Sequence, residues 1–412
     1  GVPVFDEAAQ RIMGVLSVAV SATGKVSAKY ASAPSAAIVF ASASWTGIDA
    51  EDGALVADMT AKTGHRLVVR LSAEGTLGAA MTHPGDMEAV AIAFAPSPWS
   101  AANPAMRYAG YYTVALTPSA KDVTGDEDII PSGHGYMTLS MGNASALRRG
   151  RVTYAGKLPN GVAVSGSTTL MPYAGAAPDD VDAEYDYAQL AFFAKKGKEL
   201  LSGAMLLQAD AAATYRDYPR VVYGAKDADS PNGGDIAKVW WTHAGAIAKD
   251  SFDLWYEVYG GYYDKDDDLA AFVAQYEEAY GSGPMTLFLA WPSHAPSEAY
   301  GDLTDFPPTG APLSVTASSL RLQAPAPFTL SFVRSSGIFK GTFKMGFHGK
   351  SSVTAKYEGV LLPGWTSCGC DHDILEQPFG LGAYRFPDAI LDPATGKKVP
   401  VTRGAPIDLS KQ

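Results

Sequence analysis

The sequence predicts a mostly β protein, built of antiparallel β-sandwich or small β-barrel units related by internal duplication, with one helix inserted near 267–280. Three observations predict it. Apolar and polar residues alternate with period two along most of the chain, which is strand spacing. Turn chemistry falls between the alternating runs, as in Pro159-Asn160-Gly161, Thr23-Gly24-Lys25, Glu74-Gly75 and Glu51-Asp52-Gly53. A strand-pair signature also recurs, at Gly14–Tyr30 (GVLSVAVSATGKVSAKY), Gly135–Leu158 (GYMTLSMGNASALRRGRVTYAGKL) and Gly337–Leu362 (GIFKGTFKMGFHGKSSVTAKYEGVLL). Each copy opens on Gly, alternates, turns through Gly or a basic residue and returns to a Tyr. Ala28-Lys29-Tyr30 and Ala355-Lys356-Tyr357 are identical. A recurring unit marks an architecture made by duplication.

In chain order, Asp6–Met13 reads as a short helix. Strands follow at 36–43, 66–72, 89–95, 111–117, 162–170, 189–194, 200–208, 238–242, 252–259, 286–290, 313–322 and 328–333. One longer helix is predicted, capped by Asp267 or Asp268. Leu269, Phe272, Val273, Tyr276 and Tyr280 share a face, and Gly281 ends it. Polar stretches at 121–134, 178–186 and 224–236 read as exposed loops. The copies suggest an N-terminal unit over 1–107, a middle unit over 108–248 and a C-terminal unit over 249–412.

The bulk composition narrows the function. Hydrophobic residues make up 47% of the 412, enough for a large core, and only 18% are charged. Gly, Ala, Ser, Thr and Tyr fill the difference, a bias common in secreted proteins. The formal charge is -11, and the densest basic runs, Lys195-Lys196-Gly197-Lys198 and Arg148-Arg149-Gly150-Arg151, read as hairpin turns. Nucleic acid and anionic membranes are therefore not expected partners. No apolar run approaches the length of a membrane helix. Repeated aromatic girdles, the mark of an outer-membrane barrel, are not seen. Two cysteines in so long a chain favour export. The first residue is Gly, which suggests a removed signal peptide or a fragment.

The runs GYYTVAL at Gly110–Leu116, GHGYMTLSM at Gly133–Met141 and VTYAGKLPNGVAVSGSTTL at Val152–Leu170 carry a family likeness. So do GIFKGTFKM, AKYEGVLLPG and GLGAYRFP in the last third. Together they resemble a β-domain recurring in very large exported proteins of the Planctomycetes–Verrucomicrobia group. There a Gly-Tyr-Tyr-Thr-like strand precedes a Gly-Tyr-Gly-like strand and a Gly-Lys-Leu-x-Asp-Gly-like hairpin. Asn160 stands here where the hairpin often has Asp. The resemblance implies a bacterial exported or cell-surface protein and carries no reaction with it.

Several clusters have chemistry to offer, each beside a plainer reading. Cys368, Cys370 and His372, with Asp371 and Asp373, are metal-ligand types, although no second Cys pair completes a structural zinc site. They equally suit a disulfide, a link to another chain or a polar loop. Asp264, Asp266 and Asp268 alternate as in a calcium loop, but Leu269 and Gln275 stand where such a loop has Gly and Glu. A charged turn capping the helix is the plainer reading. Calcium is the single cofactor considered.

Along 252–259, alternation puts Phe252, Leu254, Tyr256 and Val258 in the core. It puts Asp253, Trp255, Glu257 and Tyr259 on the opposite face. That second face could stack and hydrogen-bond a sugar, or contact a neighbouring unit. The seven histidines show no His-Glu-x-x-His, and no Gly-x-Ser-x-Gly elbow exists. Gly142-Asn143-Ala144-Ser145 holds a glycosylation sequon.

The expectation is a non-enzymatic, self-associating structural protein of an extracellular filament, surface layer or matrix, assembled through β-strand edges. Gly1, Val2, Pro3, Val4 and Phe5 form an apolar extended segment expected to dock on a neighbouring subunit. The alternative is a carbohydrate-binding or adhesive surface module using Trp255, Tyr259, Asp253 and Glu257.

Overall fold

The computed structural model describes residues 2–411 except 7–10, 33–36, 51, 75, 87, 95–97, 119–129, 173–184, 211–220, 224–238, 245–250, 267–268, 271–284, 291–299, 301, 308–309, 324–326, 363–378 and 393. It is mostly β, as the alternation predicts.

The first unit holds two sheets. One has the order β1 (Val2–Asp6), β2 (Arg11–Val20), β3 (Val26–Ser32), β4 (Ile38–Ala43). The other runs β5 (Gly47–Ile48), β6 (Leu55–Thr60), β7 (Arg66–Leu71), β8 (Leu77–Thr82), β9 (Val90–Phe94). Inward residues of both, among them Leu16, Phe40, Leu67 and Met81, form one core. The sheets approach each other at both margins, β4 beside β6 and β1 beside β9. This is a flattened, barrel-like sandwich. The helix expected over Asp6–Met13 is not formed in its described part: Asp6 ends β1, and Arg11–Met13 open β2. There Asp6 pairs with Arg11 and Phe5 with Ile12, so the residues expected to be helical find their backbone partners across the β1–β2 ladder.

The middle unit is a closed eight-stranded barrel. Its strands are β10 (Gly110–Pro118), β11 (Gly135–Met141), β12 (Arg151–Lys157), β13 (Ala163–Pro172), β14 (Tyr185–Lys196), β15 (Glu199–Asp210), β16 (Val221–Tyr223), β17 (Val239–His243) and β18 (Phe252–Tyr262). Two short strands share one position. β17 pairs with Glu199–Gly203 of β15 and Phe252–Tyr256 of β18, while β16 pairs further along the same two strands. The seam closes through β10 and β18, from Tyr112↔Tyr262 to Pro118↔Tyr256. Strand β18, assigned from sequence to the last unit, thus completes the middle one. The interior is filled by Tyr112, Tyr154, Phe192, Met205, Trp241 and Tyr256 among others, a packed core rather than a pore. A one-turn helix, α1 (Ala144–Leu147), caps the β11–β12 connection, and Asn143 of the sequon accepts from Ala146 N at 2.7 Å as its N-cap.

The last unit comprises β19 (Met285–Leu289), β20 (Leu303–Asp305), β21 (Gly310–Thr316), β22 (Ser319–Leu322), β23 (Ser331–Val333), β24 (Ile338–Phe347), β25 (Lys350–Leu361), β26 (Gly380–Leu391) and β27 (Lys398–Lys411). They form a curled sheet ordered β20-β24-β25-β26-β27-β19-β21-β22, with β23 also on β24. Here too, two short strands, β20 and β23, line different stretches of one long strand. The single strand expected over 313–322 is a hairpin turning at 317–318. Thr316 Oγ1 accepts from Ser319 N at 3.1 Å and stabilises the turn. Where the longer helix is expected, Leu269 and Ala270 are helical, and the rest of 267–280 lies outside the described residues.

All three copies of the signature are antiparallel hairpins between neighbouring strands: β2–β3, β11–β12 and β24–β25. The returning tyrosines Tyr30, Tyr154 and Tyr357 are 0%, 5% and 1% exposed. Each ring lies over a glycine. A Cβ on Gly14 would sit 2.5 Å from the Tyr30 ring, one on Gly166 2.4 Å from the Tyr154 hydroxyl, and one on Gly341 2.5 Å from the Tyr357 ring. A large aromatic covering a bare strand backbone replaces the side chain that glycine lacks. In the second copy the glycine comes from β13, opposite Tyr154. Burial raises the phenol of Tyr30 to about 12 and that of Tyr154 to about 12, so both stay protonated. Tyr154 donates to Phe193 O at 3.2 Å, and Tyr357 donates to Thr329 O.

Candidate functional site

Two carboxylates, the buried Glu199 and the half-buried Glu358, gather long-range polar contacts among the described residues. The first, Glu199, opens β15 and points into one end of the barrel at 4% exposure. The β14–β15 turn through Gly197, at φ 60°, sets its position. The Pro159-Asn160-Gly161 hairpin, with Gly161 at φ 84°, brings Asn160 alongside. Glu199 Oε2 accepts from Trp241 Nε1 at 2.6 Å; Oε1 accepts from Asn160 Nδ2 at 2.9 Å and lies 2.7 Å from His243 Nδ1. His243 in turn stacks on Phe252 at 5.1 Å. The adjacent Tyr256 hydroxyl is fully buried, and its pKa is pushed well above the ordinary value, first by desolvation and then by the Glu199 charge. Both carboxylate oxygens are thus occupied by the chain. This is how a buried charge is retained, and it closes the barrel end with a hydrogen-bonded plug.

The second, Glu358, lies on the outer face of β25, where the barrel and the last unit meet. Glu358 Oε1 accepts from the Tyr136 hydroxyl at 2.7 Å. Oε2 lies 2.5 Å from Lys157 Nζ and 3.8 Å from Arg385 Nη2. Desolvation and the bond to Glu358 both raise the Tyr136 pKa, so the phenol remains a donor. Beside the network sits an apolar patch of Ala115, Tyr136, Val360, Leu362 and Leu381. Thr113 Oγ1 donates to Leu361 O at 2.6 Å, and His134 N donates to Gly382 O at 3.2 Å. The backbones approach closely enough that a Cβ on Gly133 would lie 2.3 Å from that of Ala383. His134 and Asp408 also face each other there, with His134 Nε2 3.6 Å from Asp408 Oδ1. Desolvation lowers the His134 pKa to about 4 and raises that of Asp408 to about 6. A further charge pair, Arg403 Nε to Asp388 Oδ2 at 2.7 Å, is buried within the curled sheet.

The residues singled out from sequence fare differently. Gly1 lies outside the described residues. Val2, Pro3, Val4 and Phe5 are not a free arm: they belong to β1 and pair with β2 of the same chain, Val2 opposite Leu16 and Val4 opposite Gly14, and Val4 is 2% exposed. Pairing with β2 engages one side of this strand, and β1 forms the edge of its sheet.

Asp253, Trp255, Glu257 and Tyr259 do lie on the outer side of β18, away from the core. Trp255, however, is 2% exposed, opposite Trp240, so its ring offers no open platform. Thr242 Oγ1 donates to Asp253 at 2.8 Å, and the Tyr259 hydroxyl donates to Glu257. Asp264 Oδ1 accepts from Asp266 N at 2.9 Å, a tight Asx turn, and Asp268 lies outside the described residues. Cys368, Cys370 and His372 also lie outside them. Among the described residues, no three His, Cys, Asp or Glu side chains gather as a metal site.

The chain matches no family of known proteins, no curated protein and no solved structure. No helix among the described residues is long and apolar enough to cross a membrane.

Proposed function

We propose that this chain is a non-enzymatic structural subunit of an extracellular filament, surface layer or matrix, exported and self-associating. One observation carries the reading. The buried Glu199 and the half-buried Glu358 have both oxygens engaged by side chains of the chain itself, and Glu358 uses them to join two units. A catalytic acid or ligand-binding acid would instead keep a lone pair or proton for a guest. The closed barrel has no edge strand of its own, so edge pairing falls to the first and last units. Such a subunit would grow end to end, as heterologous contacts do. The resemblance to exported β-domains agrees with this placement.

Negative-stain electron microscopy of the purified protein tests the reading. Ordered filaments or sheets are expected. A monodisperse monomer across the accessible concentration range would end it. The carbohydrate-binding alternative has Asp253, Glu257 and Tyr259 on an outward face but lacks an exposed Trp255. A glycan array that lights up with the parent and goes dark with Trp255→Ala would revive it.

A further inference from the structure

Among the described residues, the outer face of the last unit carries a patch of exposed lysines that form no ion pair. Side chains on β24 and β25 alternate in burial, placing Lys340, Lys344 and Lys356 outward and exposed. Cross-strand pairs put Thr342 opposite Lys356, Lys344 opposite Thr354, and Lys356 directly opposite Arg385. Like charges facing each other on neighbouring strands are destabilising. Among the described residues, the acid on this stretch of the face is Glu358, which sits opposite Lys340 but already binds Tyr136, Lys157 and Arg385, so the uncompensated charge is that of the three lysines.

Two ordinary explanations fail. Lysines often guard an exposed sheet edge, yet Lys356 lies on the interior strand β25, and Lys340 and Lys344 lie on β24, which pairs with β25 on one side and with β20 and β23 on the other. Surface charge for solubility is usually of mixed sign, and this patch is of one sign on a chain of net -11. The remainder of the molecule is therefore more acidic than the whole.

We propose that this patch is the self-association surface, and that its partner is the acidic remainder of a second copy of the chain. The inference rests on the structural reading above and names the surface through which it operates. A patch on the last unit meeting an acidic surface elsewhere on the next copy is a heterologous contact, which repeats without closing. Its strength should fall with salt, because the pairing charges are exposed and screened.

The test is sedimentation velocity at ~50 mM and ~500 mM NaCl, on the parent and on Lys340→Glu/Lys344→Glu/Lys356→Glu, with the Gln triple variant as a milder control. The parent should associate at low salt and weaken at least about tenfold across the salt step. The Glu variant should remain monomeric with an unchanged circular dichroism spectrum, and the Gln variant should fall between. If the Glu variant misfolds, the Gln variant decides alone. Ordered polymers unaffected by either variant would overturn this surface and leave the structural reading intact. Absence of any association by the parent would overturn both. Capture on a heparin column without self-association would show that the patch serves another polyanion, and would overturn the proposal.

Discussion

The facing pair His134 and Asp408 predicts a pH response that is partly offset in the parent and separated by single substitutions. Burial lowers the His134 pKa from 6.5 to about 4, so its folded form resists protonation. Its contribution is complete above pH 6.5 and is lost as pH falls toward 4. Burial raises the Asp408 pKa from 3.8 to about 6, so its folded form resists ionisation. That group costs stability above pH 6, and the cost disappears as pH falls toward 3.8. Over the shared window the two slopes oppose each other.

A shift of about two and a half units at His134 is worth about 3 kcal/mol. The shift at Asp408 is nearly as large, but that side chain is 38% exposed, and solvent screening cuts its share to about 1 kcal/mol. Asp408→Asn should therefore lose stability more steeply than the parent between pH 6.5 and pH 4. His134→Gln should gain stability relative to the parent over the same interval. Urea denaturation followed by tryptophan fluorescence at half-unit pH steps measures both. Differences taken against the parent cancel the titration of groups common to all three proteins. Parallel pH profiles for the parent and both variants would refute the argument.

Glu358→Ala should destabilise the chain by about 3 kcal/mol, because it strands the Tyr136 hydroxyl and the Lys157 ammonium at a partly buried junction. It should also split a single urea transition into two, since the lost bonds join separate units, and an unchanged midpoint would count against the seam. Gly341→Val should cost at least about 2 kcal/mol by overpacking, because a Cβ there would lie 2.5 Å from the Tyr357 ring. Gly78→Val in β8, where a Cβ would meet nothing, provides the control for replacing a strand glycine without overpacking.

The class of fold was legible in the sequence because alternation is a local property. Most expected strands are present within a few residues, and Gly24, Gly161 and Gly197 turn the chain where the turn signals stand. Where alternation misled, it did so for local reasons as well. Over Leu313–Leu322 the alternation slips phase at Ser318-Ser319, from apolar odd to apolar even positions, and that slip, which a single-strand reading passes over, marks the turn at 317–318. Strands β6 and β8 went unread because LVADMT and LGAAMT are poor in β-branched and aromatic residues.

The polar sites were not legible. Glu199 lies 39 positions from Asn160 and 44 from His243 in the chain. Glu358 meets Lys157 across 201 positions and Tyr136 across 222. No spacing rule spans such gaps, and only barrel closure and unit docking bring these groups together. The signature tyrosine was visible from the start, but its glycine partner in the second copy sits on a different strand.

The shared strand positions have a consequence for how such a chain can grow. β16 and β17 divide one slot of the barrel, and a break lies between them: β17 ends against Gly203 and Tyr256, and β16 begins against Leu206 and Tyr259. Material added at that break need not disturb any cross-strand bond on either side. β20 and β23 offer the same opportunity along β24. Each break is a natural insertion port, at which evolution or a protein engineer could splice a new domain into a finished barrel without reopening it.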